Sequence, residues 1–458
     1  MGERFGYSLV AKMMKILILD VYPSRPYRLS KDTCGEYGTS NNFGDGFVAR
    51  TLRWLMLKSV DWPPMSCMYV AGALRGKGHD VSYSRYYQKG SGFDLVLMTS
   101  AIISHETEIE TICKIRGDGI RVGVMGAFAT NMAEPYIKAG AFVVGGEPER
   151  YFMAEPIDNE KLAKLSGLVA TDVAVDIDEL PLPAWDLVLS ETRPTFKLLG
   201  DDAVLPIYAT KGCPYSCFEY CTYPLQQGRK VRLRDPGKVV AEMAYWQDSA
   251  GISSFIFRDP VFSINREHTV KLCDAIKKSG RLFRFVIETH LKNIDRELAM
   301  LLVEAGMDMV KVGVESVNKD NLRGANRFTL SETEEGERIR ELQSLGLKTT
   351  CMFILGFPGD TEEDCLATIE YAKRLNPTFA QFSLFTPYPG TPVFDSFKGR
   401  ILADRYENFD QYQLVFKHDR IARERARSLL SLAYSRYYFR PRWLWSFLRA
   451  RFFSRKKS

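Results

Sequence analysis

Three cysteines stand close together near the middle of the chain, at Cys213, Cys217 and Cys221. They follow a candidate β-strand over residues 205–210 and the glycine Gly212, so we expect them to share one loop. Three thiolates on one loop can converge on a single iron–sulfur cluster, and a four-iron cluster held by three thiolates keeps one iron open for another ligand. A zinc site would need a further Cys or His nearby, and none follows in the loop.

This segment, residues 211–221, resembles the radical S-adenosylmethionine (SAM) motif, which is usually Cys-x3-Cys-x2-Cys with an aromatic residue just before the last cysteine. The aromatic residue here is Tyr220, and the second spacing is x3, so one extra residue must be absorbed by a bulge. The resemblance implies a [4Fe-4S] cluster on the three cysteines, with SAM bound at the open iron beside Tyr220. Three incidental buried cysteines are the alternative interpretation.

Acidic residues and glycines follow the later candidate strands of the chain. In radical SAM enzymes such strand ends hold the amino, carboxylate, ribose and adenine parts of SAM. The resemblance therefore implies SAM contacts at Asp259, Glu288, Glu315, Gly356 and Gly359. Carboxylates suit the ammonium group and the ribose hydroxyls of this ligand, and glycines let the backbone approach adenine. For Asp259 a helix N-cap or a solvated turn is the alternative.

Strand and helix patterns alternate through the second half of the chain. The candidate strands are residues 205–210, 255–262, 283–291, 309–317, 349–355 and 379–386, and the candidate helices are residues 235–249, 266–279, 294–305, 330–345 and 361–375. Strands that alternate with helices favour a parallel sheet, and six such units predict an open (β/α)6 barrel. In barrels of this kind the loops at the carboxyl ends of the strands carry the chemistry.

The first half of the chain predicts a doubly wound, Rossmann-like α/β domain. Its candidate strands are residues 15–20, 94–100, 121–125 and 141–144, and its candidate helices are residues 68–77 and 106–116. After the first strand comes a polar stretch rich in glycine and asparagine, residues 21–47. Loops of that length in compact domains tend to be functional.

Several pieces of this half resemble the cobalamin-binding domain that precedes the barrel in one large branch of radical SAM enzymes. The pieces are residues 63–65, 78–81, 123–126 and 143–149, and the likeness covers nearly residues 14–395. It implies cobalamin contacts at Gly126, Gly145, Gly146 and Glu147. A degenerate domain that binds something else, or that only docks substrate, is the alternative.

The Asp-x-His-x-x-Gly signature that supplies a histidine ligand to cobalt in that branch does not occur after the first strand. His105 is the only nearby imidazole, and we expect it to be a surface residue that opens a helix. Many members of the branch bind cobalamin without a protein ligand. The missing signature is therefore compatible with cobalamin as a cofactor.

Charge is unevenly distributed along the 458 residues. The net charge is +6, but residues 421–458 contain eleven Arg or Lys and one acid, which leaves the other residues at −4. A mildly acidic body argues against a nucleic-acid-binding surface. In the tail, aromatic residues alternate with arginines, a pattern typical of interfacial membrane contact. A helix packed across the barrel mouth and a partner-binding segment are the alternatives.

Cysteine usage and the N-terminus both point to the cytoplasm. Nine cysteines spread over this length do not resemble a secreted disulfide framework, and neither a signal peptide nor a bilayer-spanning apolar run is present. We expect a cytoplasmic protein whose tail can contact the inner face of the membrane. Cys34, Cys67 and Cys113 raise a methylthiotransferase with a second cluster as an alternative, but their surroundings do not match, and free buried cysteines are expected.

The expected domains are a leader or mis-called start (1–12), a cobalamin-binding-like domain (13–165), a linker (166–200), the barrel (201–395) and a C-terminal extension (396–458). The resemblance implies a radical SAM enzyme that forms a 5′-deoxyadenosyl radical, with cobalamin-dependent methylation of an unactivated carbon as the leading outcome. The alternatives are a cobalamin-assisted cyclase or rearrangement enzyme, a methylthiotransferase, and a non-catalytic sensor. The implied partners are a small-molecule or lipid-linked substrate and an electron donor such as flavodoxin or ferredoxin.

Overall fold

The computed structural model describes residues 13–56, 62–169, 174–190, 203–441 and 443. The expected leader, residues 1–12, lies outside the described residues, as do parts of the expected linker and the tail after residue 443. Two parallel sheets organise the described residues, one from each half of the chain.

The N-terminal half folds around a six-stranded sheet. Its strands are β1 (Lys15–Leu19), β2 (Leu29–Ser30), β3 (Thr39–Ser40), β4 (Asp80–Ser84), β5 (Leu95–Thr99), β6 (Arg121–Met125), β7 (Phe142–Val144) and β8 (Leu168–Val169). The sheet has the order β4-β1-β5-β6-β7-β8 with every pairing parallel, while β2 and β3 form a small antiparallel pair. The expected Rossmann-like class is therefore confirmed.

Helices lie between the strands of this half along the chain. They are α1 (Phe47–Met56), α2 (Met65–Gly76), α3 (His105–Gly117), α4 (Ala127–Asn131), α5 (Ala133–Lys138), α6 (Pro148–Ala154), α7 (Asn159–Lys164) and α8 (Asp186–Leu189). Strand β5 is buried along its whole length, as an apolar run in a parallel sheet with both faces covered should be.

The first sheet extends beyond residue 165, where we expected its domain to end. Strand β8 pairs in parallel with β7, with Leu168 beside Val143 and Val169 beside Val144. A strand of two residues carries no alternation that a sequence pattern can reveal, so it was not predicted. The other domain limits stay predictions.

The second half forms the six-stranded parallel sheet of an open barrel. Its strands are β9 (Val204–Ile207), β10 (Thr210–Lys211), β11 (Arg232–Leu233), β12 (Ser254–Phe257), β13 (Arg284–Thr289), β14 (Met307–Glu315), β15 (Lys348–Leu355) and β16 (Phe379–Leu384). The barrel order is β16-β15-β14-β13-β12-β9, which confirms the six expected units, and β10 and β11 form an antiparallel hairpin beside it.

The helices of this half follow the strands that sequence periodicity indicated. They are α9 (Tyr223–Gln227), α10 (Pro236–Ala250), α11 (Arg266–Lys278), α12 (Arg296–Glu304), α13 (Lys319–Gly324), α14 (Glu332–Ser344), α15 (Glu362–Leu375), α16 (Pro392–Phe397) and α17 (Arg423–Tyr438). Helix α15 starts with a capping box in which Thr361 and Asp364 satisfy each other's backbone N–H groups. Among the described residues, no helix has the length and apolarity to cross a bilayer.

Helix α17 protects the open edge of the barrel sheet. The Tyr434 hydroxyl donates to the Phe382 carbonyl (2.9 Å) and accepts from the Phe382 N–H (3.2 Å). Tyr438 makes the same pair of bonds with Ala380, at 2.7 and 3.1 Å. An exposed strand edge with unpaired backbone groups is a site for unwanted pairing, and these hydroxyls occupy it. The first part of the C-terminal extension therefore packs on the barrel.

A buried group of charged residues joins the two halves. The Lys211 ammonium lies 2.8 Å from Glu147 and 3.1 Å from Glu149, and Arg232 makes a second contact with Glu147 at 2.6 Å. Glu147 and Glu149 flank the start of α6, while Lys211 and Arg232 lie in the β10–β11 hairpin. Because this hairpin leads directly into the cysteine loop, the ion pairs tie that loop to the first sheet.

Candidate active site

A large cavity, about 2260 Å³ in volume, is lined by the barrel strands and by the loops at their carboxyl ends. All three motif cysteines line it. Side chains that alternate along the parallel strands point into it, including Glu288 on β13 and Lys311 on β14. The cavity therefore brings the expected cluster loop and the charged strand ends to one site.

The cysteine loop is held in shape by backbone contacts with the β10–β11 hairpin. Gly212 adopts a φ of +96°, and a Cβ there would lie 2.1 Å from the Lys230 carbonyl oxygen, so only glycine fits. The Cys213 N–H donates to the Gly228 carbonyl at 3.1 Å. Residues 216–219 form a short 3-10 turn, which absorbs the extra residue in the second spacing.

Burial shapes the electrostatics of the three thiols. Cys213 and Cys217 are buried and Cys221 is half-buried. Burial and the neighbouring Cys217 raise the pKa of Cys221 well above its usual range, and burial also raises the pKa of Cys213. Arg327 offsets the accumulating negative charge, since its guanidinium lies 3.6 Å from the Cys217 sulfur. Thiolates crowded in this way become stable when cations bind them.

The cysteines fit a cluster better than a single ion. Among the described residues, no group of three or more His, Cys, Asp or Glu side chains is close enough together to hold one metal ion. A zinc ion draws its sulfur ligands to about 2.3 Å from itself, whereas a four-iron cluster spreads its thiolates over separate irons. The three cysteines thus fit a [4Fe-4S] cluster.

Glu315 and Arg327 form a pair beside the cysteine loop. Glu315 adopts a left-handed φ of +70° at a register shift in β14, and its carboxylate lies 3.2 Å from Arg327. A Cβ on Gly313 would come within 2.4 Å of the Glu315 carboxylate, so the glycine makes room for the pair. Burial raises the pKa of Glu315. Left-handed non-glycine residues cluster at functional sites, because the surrounding structure must hold them there.

Lys311, Glu288 and Arg258 form a second group of charged residues in the lining of the cavity. Burial lowers the pKa of Lys311 to about 8 and raises the pKa of Glu288. Arg258, at the end of β12, forms an ion pair with Asp32 from the long polar stretch of the N-terminal half. The N-terminal half therefore contributes a carboxylate beside the barrel cavity, as the length of that stretch suggested.

The remaining SAM candidates occupy different places. Tyr220 lines the cavity, and its buried hydroxyl has no partner among the described residues. Asp259 is neither an N-cap nor solvated, because it is buried and accepts from the backbone N–H groups of Ala209 (3.0 Å) and Thr210 (2.7 Å). It supports the start of the cysteine loop. Gly356 and Gly359 lie outside the lining of the cavity.

The four residues predicted to contact cobalamin follow β6 and β7, at the carboxyl edge of the first sheet. Gly126 and Gly146 border a space of only about 10 Å³, and Gly145 lies against Leu168. The Glu147 carboxylate is engaged by Lys211 and Arg232, which hold its pKa at about 2 despite burial. All four of these residues are within the described part of the chain. They stay predictions as ligand contacts.

His105 opens α3 as expected, but it is not a surface residue. It is buried, its Nδ1 lies 3.2 Å from the Tyr136 hydroxyl, and its ring contacts the edges of Phe128 and Tyr406. Burial lowers the pKa of His105 to about 4. The expectation of exposure was wrong because α3 packs against an aromatic cluster that gathers rings from both halves of the chain.

The other six cysteines form no disulfide bonds. Of the three cysteines expected to be buried, Cys67 is buried, but Cys113 is exposed and Cys34 is half-buried in the cavity wall. Cys273, Cys351 and Cys365 are buried as well. Sequence reasoning missed Arg327, Lys311 and Asp32. No motif spacing marks them, because the folded chain brings each of them to the site from a position far from the cysteines in the sequence.

Residues 207–372 match the model of the Radical SAM superfamily. An uncharacterized methyltransferase of Pyrococcus horikoshii is 25% identical over 417 residues, covering 83% of this chain and 88% of the relative. The anaerobic magnesium-protoporphyrin IX monomethyl ester cyclase of Cereibacter sphaeroides is 26% identical over 419 residues, covering 83% and 67%.

A solved structure shares the two-part fold. The radical SAM methyltransferase TsrM from Kitasatospora setae, with cobalamin and a [4Fe-4S] cluster bound, superposes with a TM-score of 0.59 at 17% identity. The superposition covers 83% of this chain and 77% of that one. This likeness shows the fold, and the superfamily match covers the strands and the loop that carry the three cysteines. Residues 207–372 therefore form a radical SAM domain, and the two-part fold of the chain is similar to that of TsrM.

Proposed function

We propose that the chain cleaves SAM at a [4Fe-4S] cluster held by Cys213, Cys217 and Cys221, and methylates an unactivated carbon of its substrate. The single observation that carries the proposal is the presence of all three cysteines in the wall of one large cavity at the carboxyl ends of the barrel strands. When bound, the cluster supplies the electron that splits SAM into methionine and a 5′-deoxyadenosyl radical, which abstracts hydrogen from carbon.

The protein's own residues position the reactants and exclude water. Arg327 places a fixed positive charge 3.6 Å from Cys217 and also binds Glu315. Glu315 and Glu288 are proposed to bind the ammonium group and the ribose hydroxyls of SAM, since carboxylates form strong charge-assisted hydrogen bonds with such donors. Tyr220 offers an unpartnered hydroxyl at the cavity wall for a further hydrogen bond.

Methylation is favoured because the P. horikoshii relative and TsrM are both named methyltransferases. The cyclase of C. sphaeroides supports ring closure as the second candidate. Cobalamin is proposed as a cofactor because TsrM was solved with cobalamin bound. Gly126 and Gly146, which are predicted to contact cobalamin, border a space of only about 10 Å³, so we assign no catalytic step to cobalamin.

Product analysis tests the proposal. Anaerobically reconstituted protein is incubated with SAM, a reductant and candidate substrates, and 5′-deoxyadenosine and S-adenosylhomocysteine are quantified. Methylation predicts both coproducts, because one SAM supplies the radical and another supplies the methyl group. A cyclase would release 5′-deoxyadenosine without S-adenosylhomocysteine. Absence of 5′-deoxyadenosine under every condition would reject the radical chemistry.

The substrate is proposed to be a small molecule, lipid-linked if the tail contacts a membrane, and the reductant a flavodoxin or ferredoxin. The chain after Trp443 contains five Lys or Arg and no acid, with Trp445, Phe447, Phe452 and Phe453 among them. Each basic residue near an anionic surface contributes about 1 kcal/mol, and salt weakens this attraction. These residues lie outside the described part of the chain.

Truncation after Trp443 tests membrane contact without disturbing the barrel. The indole of Trp443 donates to the Thr378 carbonyl at 2.8 Å, so this end point keeps the packed residues of the extension. The truncated protein should lose salt-sensitive co-sedimentation with anionic vesicles and keep its cleavage of SAM. Equal sedimentation of both proteins would reject the membrane role of the tail.

A further inference from the structure

Helix α1 belongs to a segment that connects the two edges of the barrel sheet. Its start is held on α17, because the Asp45 N–H donates to the Ser431 hydroxyl at 2.9 Å and the Asp45 carboxylate lies 2.9 Å from Arg427. After the helix, the Trp62 indole donates to the Val204 carbonyl of β9 at 2.7 Å. Because α17 covers β16, and β16 and β9 are the two edge strands, this segment begins beside one edge and ends beside the other.

The apolar face of α1 is turned to the cavity. Val48, Leu52 and Leu55 follow one another at spacings of four and three residues, so they share one face of the helix. All three line the cavity, together with Phe47. An amphipathic helix usually buries such a face against other side chains, yet Leu55 is 52% exposed and Phe47 is 77% exposed. This face is therefore open to a ligand in the cavity.

Aromatic side chains give the cavity a second apolar surface, on and near α17, which α1 contacts. They are Phe43, Tyr412, Tyr434, Tyr438, Phe439 and Trp443. Successive ring centroids from Tyr434 to Tyr438 to Trp443 lie 6.1 and 4.8 Å apart. The polar atoms of these three rings are bonded to backbone carbonyls, so the rings present carbon to the cavity. The six aromatic residues and the four apolar residues of α1 are here named the apolar groove.

The cavity is larger than SAM requires. SAM has the size of a drug-like ligand, and pockets for such ligands have volumes of about 300–1,000 Å³. The cavity, at about 2260 Å³, keeps more than half of its volume even if SAM and the cluster take the larger figure. None of the residues of the apolar groove is charged, and from Val48 to Leu55 it follows α1 for about 10 Å. An uncharged surface of this length favours a hydrocarbon over a polar ligand.

We propose that the apolar groove binds a hydrocarbon chain of the substrate, so that the substrate is a lipid or a lipid-linked molecule. The inference rests on the proposed function, in which the cysteine loop and the charged strand ends of the same cavity hold the cluster and SAM. It deepens that function, because it assigns a class of substrate to the rest of the cavity. It also makes α1 and α17 the elements that select the length of the chain.

A series of fatty acids tests the groove. Octanoate, decanoate and dodecanoate, each below its micelle concentration, are titrated calorimetrically into anaerobically reconstituted holoprotein that holds SAM and no reductant. Each methylene that is fully buried should tighten binding about fourfold. Dodecanoate should therefore bind at one site per chain, at least about 50-fold more tightly than octanoate. Equal affinity for the three fatty acids, or no binding of dodecanoate, would overturn the proposal.

Leu55→Asp and Leu282→Asp form a matched pair of variants. Both leucines are exposed, so neither change disturbs the core, but of the two only Leu55 lines the cavity. A carboxylate in the groove would lose water to the bound chain, so Leu55→Asp should weaken dodecanoate binding at least about tenfold. Leu282→Asp should bind dodecanoate as the natural protein does. The same affinity in both variants would overturn the proposal.

Two other occupants of the groove would give different results. If the tail filled it, truncation after Trp443 would raise the affinity for dodecanoate severalfold, whereas we expect no change. If α1 rested on a membrane instead, Leu55→Asp would abolish co-sedimentation with vesicles and leave dodecanoate binding intact. Either result would overturn the proposal. Formation of 5′-deoxyadenosine by the natural protein is measured separately, with reductant and without fatty acid, so failure of SAM cleavage is distinguishable from failure of chain binding.

Discussion

The carboxyl edges of the two parallel sheets are used in opposite ways. At the barrel edge, Glu288, Lys311 and Glu315 face a cavity of about 2260 Å³. At the edge of the first sheet, Lys31 and Glu108 are buried against each other, and a space of about 10 Å³ remains near the glycines. Ligand sites in parallel α/β sheets form at the carboxyl ends of strands, and here only one of the two edges is open.

This difference shows that glycine-rich strand ends do not by themselves make a binding site. A Cβ on Gly126 would lie 2.9 Å from the Ser100 hydroxyl, and a Cβ on Gly145 would lie 3.1 Å from Leu168. Glycine at these positions allows close packing within the chain. In contrast, Gly313 makes room for a pair of charged side chains at the cavity. Substitutions at the closed edge should therefore affect stability, and substitutions at the open edge should affect catalysis.

The largest effect on stability is expected at the buried ion pairs of Lys211 with Glu147 and Glu149, which join the two halves of the chain. Lys211→Met would leave Glu147 and Glu149 with fewer buried partners, and breaking a buried ion pair on one side costs about 3–5 kcal/mol. Lys164→Met, which removes an exposed pair with Glu160 on one helix, should cost less than about 0.5 kcal/mol. Chemical unfolding of both variants measures the difference. If Lys211→Met lowered the free energy of unfolding as little as Lys164→Met does, the buried ion pairs of Lys211 would not stabilise the contact between the two halves.

At the open edge, Glu315→Gln should lower kcat/KM for SAM cleavage by about 100-fold, because it removes a charge-assisted hydrogen bond to the ligand and weakens the pair with Arg327. Its free energy of unfolding should change by less than about 1 kcal/mol, since burial already disfavours the charged carboxylate. Glu337→Gln on the exposed face of α14 is the matched control. Unchanged kinetics together with a large loss of stability would show that Glu315 stabilises the fold and does not bind SAM.

At the closed edge, His105 should make stability depend on pH. Its pKa in the folded protein is about 4, below the ordinary value of about 6.5, so between these values the unfolded chain binds more protons. Stability should therefore fall by about 1–3 kcal/mol as the pH drops from about 6.5 to 4. His105→Gln should flatten that dependence in unfolding titrations and leave the spectrum of any bound cobalamin unchanged. An identical pH profile for both proteins would show that His105 does not titrate in this range.

Much of the barrel was predictable from the sequence, because buried parallel strands are continuous apolar runs and the helices between them carry caps and periodic apolar faces. The loop with Cys213, Cys217 and Cys221 was predictable because three ligands occur within one short segment. Its glycine turn at Gly212 was also visible there.

The closed edge was not predictable. Lys31 lies in a polar stretch that predicts an exposed loop, and its burial depends on Glu108, which is 77 residues away. Arg327 likewise reaches Cys217 across 110 residues. Pairings over such distances leave no periodicity or spacing, so the sequence pattern cannot distinguish a ligand-binding loop from one that fills the same space.

The central claim is that the open edge holds the cluster that cleaves SAM. The most direct measurement compares Cys217→Ala with Cys273→Ala, a buried cysteine of α11 outside the cavity. Iron content and 5′-deoxyadenosine are quantified after anaerobic reconstitution of both variants and the natural protein. We predict about four irons per chain and full cleavage for the natural protein and Cys273→Ala, and loss of the cluster and of all cleavage for Cys217→Ala. Full cleavage by Cys217→Ala would contradict the account.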